Sequence, residues 1–97
     1  RPVMLTHIVC FKYKADVSED TRAEHRSRLA GLSSLRGVLD LKVGADVVRS
    51  ARSYDAGLIV TFPDRAALDA YAKDPLHVPV AQWGASLCEH IVAVDFE

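Results

Sequence analysis

The sequence has no apolar run approaching the roughly 18 residues that span a bilayer, and no signal-peptide pattern opens it. Strong charge is missing too. Twelve Lys and Arg stand against 13 Asp and Glu, for a formal net charge of −1, and no basic cluster stands out. The electrostatic footprint of a nucleic-acid or anionic-membrane binder is therefore absent. Cysteine is scarce: Cys10 and Cys88 lack the CxxC spacing of a zinc or redox motif. Each lies in an apolar run, where a free thiol acts as a small hydrophobe, and buried reduced thiols point to a cytoplasmic protein. No glycine-rich phosphate loop accompanies Arg49, Arg52 and Arg65, which either form a solvated rim or receive an acidic ligand group. There are no repeats or low-complexity tracts.

What remains is a chain of 97 residues, 49% hydrophobic and 26% charged, enough for one globular domain over residues 1–97. Arg1–Val3 precede Met4 and read as an added or flexible start, or the remnant of a longer precursor. Leu5–Tyr13, rich in β-branched and aromatic residues, predicts a first strand. Ser18 caps a helix from about Glu19 to Ser33, with Glu19 and Asp20 in its first turn and His25, Leu29 and Leu32 on one stripe. Val38–Val48 alternates as a second strand, and Tyr54–Phe62 makes the third. Asp64 caps a second helix that reaches Tyr71. Asp74-Pro75 restarts it, with Asp as N-cap and Pro in the first turn, and Gly84 ends it. Leu87–Phe96 is the fourth strand. The order β-α-β-β-α-β predicts an α+β, ferredoxin-like fold: a four-stranded antiparallel sheet with helices on one face.

Three strands break the alternation that a half-exposed sheet requires. Ile8 to Phe11, Leu58 to Val60 and Ile91 to Val94 are uninterrupted apolar runs. Both sheet faces must then be covered, and helices cover one. A second copy of the chain packed face to face is the expected partner, giving a homodimer.

Several stretches resemble the stress-responsive dimeric α/β-barrel (Dabb) domain. They are Thr6-His-Ile-Val-Cys-Phe-Lys12, Val43-Gly44, Tyr54-Asp-Ala-Gly-Leu-Ile-Val-Thr-Phe62, Leu68-Asp-Ala-Tyr71 with Asp74-Pro-Leu-His77, and Val92-Ala-Val-Asp-Phe96. The resemblance covers nearly the whole chain. It implies a ferredoxin-like subunit, a homodimeric α+β barrel and a pocket between sheet and helices. Family members include a plant polyketide cyclase that closes a linear poly-β-ketone by aldol condensation without a cofactor. The resemblance to that enzyme implies a working pair at Tyr71 and His77 and a pocket contact at His7. Where it has a further pocket histidine, this chain has Ala56.

The expected function is binding of a small, largely apolar molecule in that pocket, with no activity assigned. Two alternatives stand beside it: a cofactor-free aldol cyclase using His77 and Tyr71, and a cofactor-independent monooxygenase. His77 sits near a helix start, where the dipole favours the neutral imidazole a general base needs. If the Tyr71 phenol donates to it, the ring tautomer is fixed. Otherwise His77 packs at a helix corner and Tyr71 is a core residue. His7 and His25 either border the pocket or fill core, and Trp83 either walls the pocket or packs the short helix. His7, His25, His77 and His90 lack ligand spacing with a carboxylate, so neither metal nor cofactor is expected.

Overall fold

Strand β1 (Leu5–Tyr13) organises the molecule by the two-residue period of its side chains. The computed structural model describes residues 3–97, so Arg1 and Pro2, part of the expected leader, lie outside the described residues. In β1, Leu5, Val9, Phe11 and Tyr13 are buried on one face, while Thr6, Ile8, Cys10 and Lys12 on the other are half-buried. The chain continues as α1 (Glu19–Ala30), a 3-10 turn (Gly31–Ser34), β2 (Asp40–Ala45), β3 (Ala56–Phe62), α2 (Arg65–Lys73), α3 (His77–Leu87) and β4 (Cys88–Phe96). The strands form one sheet in the order β2-β3-β1-β4, every neighbouring pair antiparallel. This is the ferredoxin-like arrangement, with the second helix in two pieces.

Local chemistry sets most element ends. Ser18 Oγ accepts the Thr21 N–H at 3.2 Å to open α1, and Asp64 accepts the Ala67 N–H at 2.9 Å to open α2. Gly37 turns the chain toward β2 with φ +87°, and a Cβ there would also press to 3.1 Å on the Ala67 methyl. Strand β2 is shorter than the alternation predicts. Asp46 Oδ2 accepts the Arg49 N–H at 2.7 Å, closing a turn in which Arg49 has φ +53°. That turn leaves Val47 and Val48 in solvent.

The corner at Asp74-Pro75 differs from expectation in detail. Leu76, not Asp74, stands at the N-cap of α3. Asp74 folds back on its own turn, its Oδ1 accepting the Leu76 N–H at 2.8 Å while its carbonyl receives His77 and Val78. Gly84 does not end the helix. It lies inside α3, against His25 of α1, and the helix continues to Leu87.

The core lies between sheet and helices, built on Phe11, Leu29, Leu58, Val60, Phe62 and Tyr71. On the opposite sheet face the register sets Ile8 beside Ile59 and Val94, and Thr6 beside Phe96. Val92, Val94 and Phe96 are about half exposed there (49%, 54% and 49%). Cys10 lies across from Gly57 and Val92, while Cys88 lies across from Tyr13, so the two free thiols are not neighbours. Among the described residues no helix is long and apolar enough to cross a membrane.

Candidate functional site

A cavity of about 220 Å³ opens between the sheet and the three helices. Its floor is Val9, Phe11 and Leu58, with Leu29 from α1, Val80 and Ala81 from α3, and Ile91 and Ala93 from β4 as apolar walls. Four polar side chains join this lining: His7, His25, Tyr71 and His77.

His7 reaches the cavity because odd residues of β1 face the helices. The antiparallel register sets Asp95 of β4 directly across from it. His7 Nδ1 donates to Asp95 Oδ1, which places a proton on Nδ1 and fixes the orientation of the ring. The His7 ring lies 6.3 Å from the Tyr71 ring and 6.4 Å from that of Phe62. His7 and Asp95 also border an outer groove of about 550 Å³, flanked by Leu68, Asp69 and Arg65.

Tyr71 and His77 meet across the helix break, their ring centroids 4.4 Å apart and tilted by 44°. The contact is between rings and not a hydrogen bond. His77 Nδ1 donates to the Ala72 carbonyl at 3.2 Å, so backbone, rather than the expected phenol, holds its tautomer. The Tyr71 hydroxyl is buried and has no hydrogen-bond partner among the described residues. Burial pushes the Tyr71 phenol up to about 12. Burial, helped by the nearby His7, also holds His77 below the ordinary imidazole range, against the opposing pull of Ala72 and Asp74. The direction is the one expected from a helix start, but its main cause is desolvation.

His25 is fully buried on α1. Its Nδ1 lies 2.7 Å from the Tyr13 hydroxyl, and its Nε2 has no hydrogen-bond partner among the described residues. Burial and then the neighbouring Arg26 lower its basicity. Trp83 is not on the cavity wall: its ring stands 5.9 Å from His25, with the Arg28 guanidinium 4.6 Å over it. His90 is exposed on the open sheet face across from Lys12. Arg49 donates to buried Asp55 at 2.8 Å and Arg65 to Asp69 at 3.1 Å, so both arginines are engaged by carboxylates. Among the described residues no group of three or more His, Cys, Asp or Glu could hold a metal ion.

Residues 5–97 match the model of the Stress responsive A/B Barrel Domain, Dabb. The chain belongs to the Dabb family. Among curated proteins no match is found. A dimeric ferredoxin-like protein of unknown function from Jannaschia sp. CCS1 is 31% identical, with a TM-score of 0.81 over 98% of this chain and 99% of that one. One from Thermobifida fusca YX, also dimeric and of unknown function, superposes with a TM-score of 0.89 at 23% identity, over 99% and 92% of the two chains. The hydroxynitrile lyase of Passiflora edulis has the same fold, with a TM-score of 0.89 at 21% identity over 99% and 94%.

In this Dabb chain the lining combines His77, whose Nδ1 is tied to backbone, and His7, held by Asp95, with two buried polar groups that lack a partner among the described residues, at His25 and Tyr71. Such a set can accept a proton at one place and hydrogen-bond an oxygen at another. Sequence reasoning gave Asp95 no role. Its signal was a lone carboxylate in the apolar run Val92-Ala-Val-Asp-Phe96, at a position that antiparallel pairing brings to His7.

Proposed function

We propose that this Dabb protein binds a small, largely apolar molecule carrying a polar group in the cavity between sheet and helices. The observation that carries the reading is a largely apolar cavity lined also by His7, His25, Tyr71 and His77, two of which have a buried polar atom, His25 Nε2 and Tyr71 Oη, without a partner among the described residues. Buried polar groups are nearly always matched, and an unmatched one in a cavity wall is a natural contact for a ligand. The functional unit is a homodimer joined through the open sheet face. The exposed apolar row Ile59, Val92, Val94 and Phe96 and the dimeric state of the Jannaschia relative support this. The free thiols fit a reducing compartment such as the cytoplasm.

Cofactor-free acid–base chemistry is the second reading, with His77 and Tyr71 in the working roles. It is favoured by a His77 that burial keeps neutral, its Nδ1 tied to Ala72, beside a Tyr71 phenol that burial keeps protonated. The imidazole would remove an acidic proton next to a carbonyl, and the phenol would hydrogen-bond the oxygen as charge develops. His7, with Asp95 behind it, lies on the same wall as an additional contact. The monooxygenase reading has no observation of its own in its favour.

Native mass spectrometry of gently purified protein tests the first reading. A dimer with a retained small molecule is the expected result, and the adduct mass names the compound class. A monomer would remove the basis for the sheet-face interface. If the cavity is bare, screening by a library of aromatic and β-dicarbonyl compounds follows, and no binder at all would sink the pocket reading. His77→Ala and Tyr71→Phe with the fold intact separate the two readings, since both should abolish turnover of a bound β-dicarbonyl only under the second.

A further inference from the structure

Two hollows lie side by side on the helix side of the sheet, the inner cavity of about 220 Å³ and the outer groove of about 550 Å³. Among the described residues, His7 alone lines both. The boundary between them can be followed through three elements. On β1, Leu5 lines the groove and Val9 the cavity, with His7 between them. On β4, Asp95 lines the groove and Ala93 the cavity; on α2, Ala72 lines the groove and the adjacent Tyr71 the cavity. The partition is therefore about one side chain thick, and on the sheet side that side chain is His7.

The imidazole is held in that position. Its Nδ1 donates to Asp95 Oδ1 on the groove side, and Asp95 is the more exposed of the pair, 37% against 16% for the side chains. The buried Tyr71 and Phe62 rings stand 6.3 and 6.4 Å from it as part of the core. Pinned by a carboxylate and backed by core aromatics, the ring has little freedom to swing aside. Beyond it the groove keeps an apolar floor of Leu5, Leu68, Ala72 and Phe96, so a chain that passed the wall would go on burying methylene groups.

We infer that His7, positioned by Asp95, sets the length of ligand that the inner cavity accepts: the ligand is compact, and an unbranched chain that outgrows the cavity is stopped at the imidazole. This rests on the small-molecule reading of the cavity. It adds a size class for the ligand and gives His7 a specificity role that depends on the bulk of its ring.

The test uses straight-chain 1-alkanols from butanol to decanol, each an apolar body with one polar group, with affinities measured by titration calorimetry. Every further methylene that is buried should raise affinity about fourfold, and one left in water should add almost nothing. In the parent chain the rise should break at a definite length, a result that needs no variant to fold. In His7→Ala it should continue past that length, so that decanol binds roughly tenfold tighter than to the parent, or more. His7→Val takes the place of His7→Ala if alanine costs too much stability, since a β-branched residue suits a strand. His7→Phe restores an aromatic wall without the hydrogen bond to Asp95, and its break should not move to longer chains. A steady rise to decanol in the parent, an unmoved break in the small-residue variant, or a His7→Phe protein that behaves like His7→Ala overturns the inference and leaves the cavity reading standing. Binding of none of the alcohols by the parent chain counts against the cavity itself, and the inference falls with it.

Discussion

Replacing Gly84 by alanine puts the packing of α3 on α1 to a direct test. Inside a helix, alanine is worth about 1 kcal/mol over glycine, so propensity alone makes Gly84→Ala stabilising. Geometry opposes this. The new methyl would lie 2.6 Å from His25 Nε2 and 3.4 Å from its Cδ2. His25 is a poor candidate to yield, since Tyr13 holds its Nδ1 at 2.7 Å and aromatic edges pack it on Phe11 and Trp83. Forcing a methyl into such a site costs about 1–3 kcal/mol. The net expectation is a loss of about 0–2 kcal/mol. In a His25→Ala background the obstacle is gone, and the same change should gain up to about 1 kcal/mol. The sign reversal is the diagnostic, a coupling of about 1–3 kcal/mol between residues in contact. Urea unfolding of the four proteins at one fixed concentration measures it, because association would otherwise shift the midpoints. Equal effects of Gly84→Ala in both backgrounds would refute the close packing of Gly84 on His25.

Other predictions follow from the same geometry. Tyr71→Phe deletes a buried hydroxyl without a partner among the described residues, so stability should hold or rise by about 1 kcal/mol, and on the proposed pocket reading ligand affinity should fall; a loss of more than about 1 kcal/mol in urea unfolding would show that the hydroxyl is satisfied within the protein. His25 and His77 both have pKa values lowered below 6.5 by burial, so the unfolded chain takes up these protons first. Stability should therefore be constant above that range and decline as pH falls from about 6.5 toward the folded-state values, more weakly in His77→Gln. A curve flat through this window would contradict both shifts. Asp95→Ala removes the acceptor on His7 Nδ1, and ¹⁵N NMR should show the Nδ1 resonance of that ring shift as its hydrogen bond is lost. Val94→Lys sets an ammonium in the middle of the open sheet face and should yield monomers in native mass spectrometry at concentrations where the parent is dimeric.

Much of this molecule is written in local patterns. The two-residue period of Leu5–Tyr13, the caps at Ser18 and Asp64, and the turn at Gly37 act over a few residues, and they were enough to derive the order of strands and helices. The apolar runs in β1, β3 and β4 could be read as a sheet with a second face to cover, because a strand sends alternate residues to opposite sides whatever its neighbours are. Tyr71 and His77 stood out as a pair through family resemblance, and six residues across a helix break is close enough for a corner to join them. Local pattern misled where a residue's reason lies elsewhere in the chain. Val47 and Val48 extend the alternation on paper, yet Asp46 turns the backbone before them. Gly84 resembles a helix stop, yet it is there for His25, which comes 59 positions earlier in the chain.

By itself, the sequence determined the fold class and the set of polar side chains available to a site, since both depend on residue type and short-range period. Tertiary structure alone decided how those side chains are used. Strand register put Asp95 on His7, helix packing pressed Gly84 to Nε2 of His25, and the closeness of β1 to α1 matched Tyr13 with the other nitrogen of that ring. Contacts of this kind join distant positions, and which proton sits on which nitrogen is settled by the partner that packing supplies.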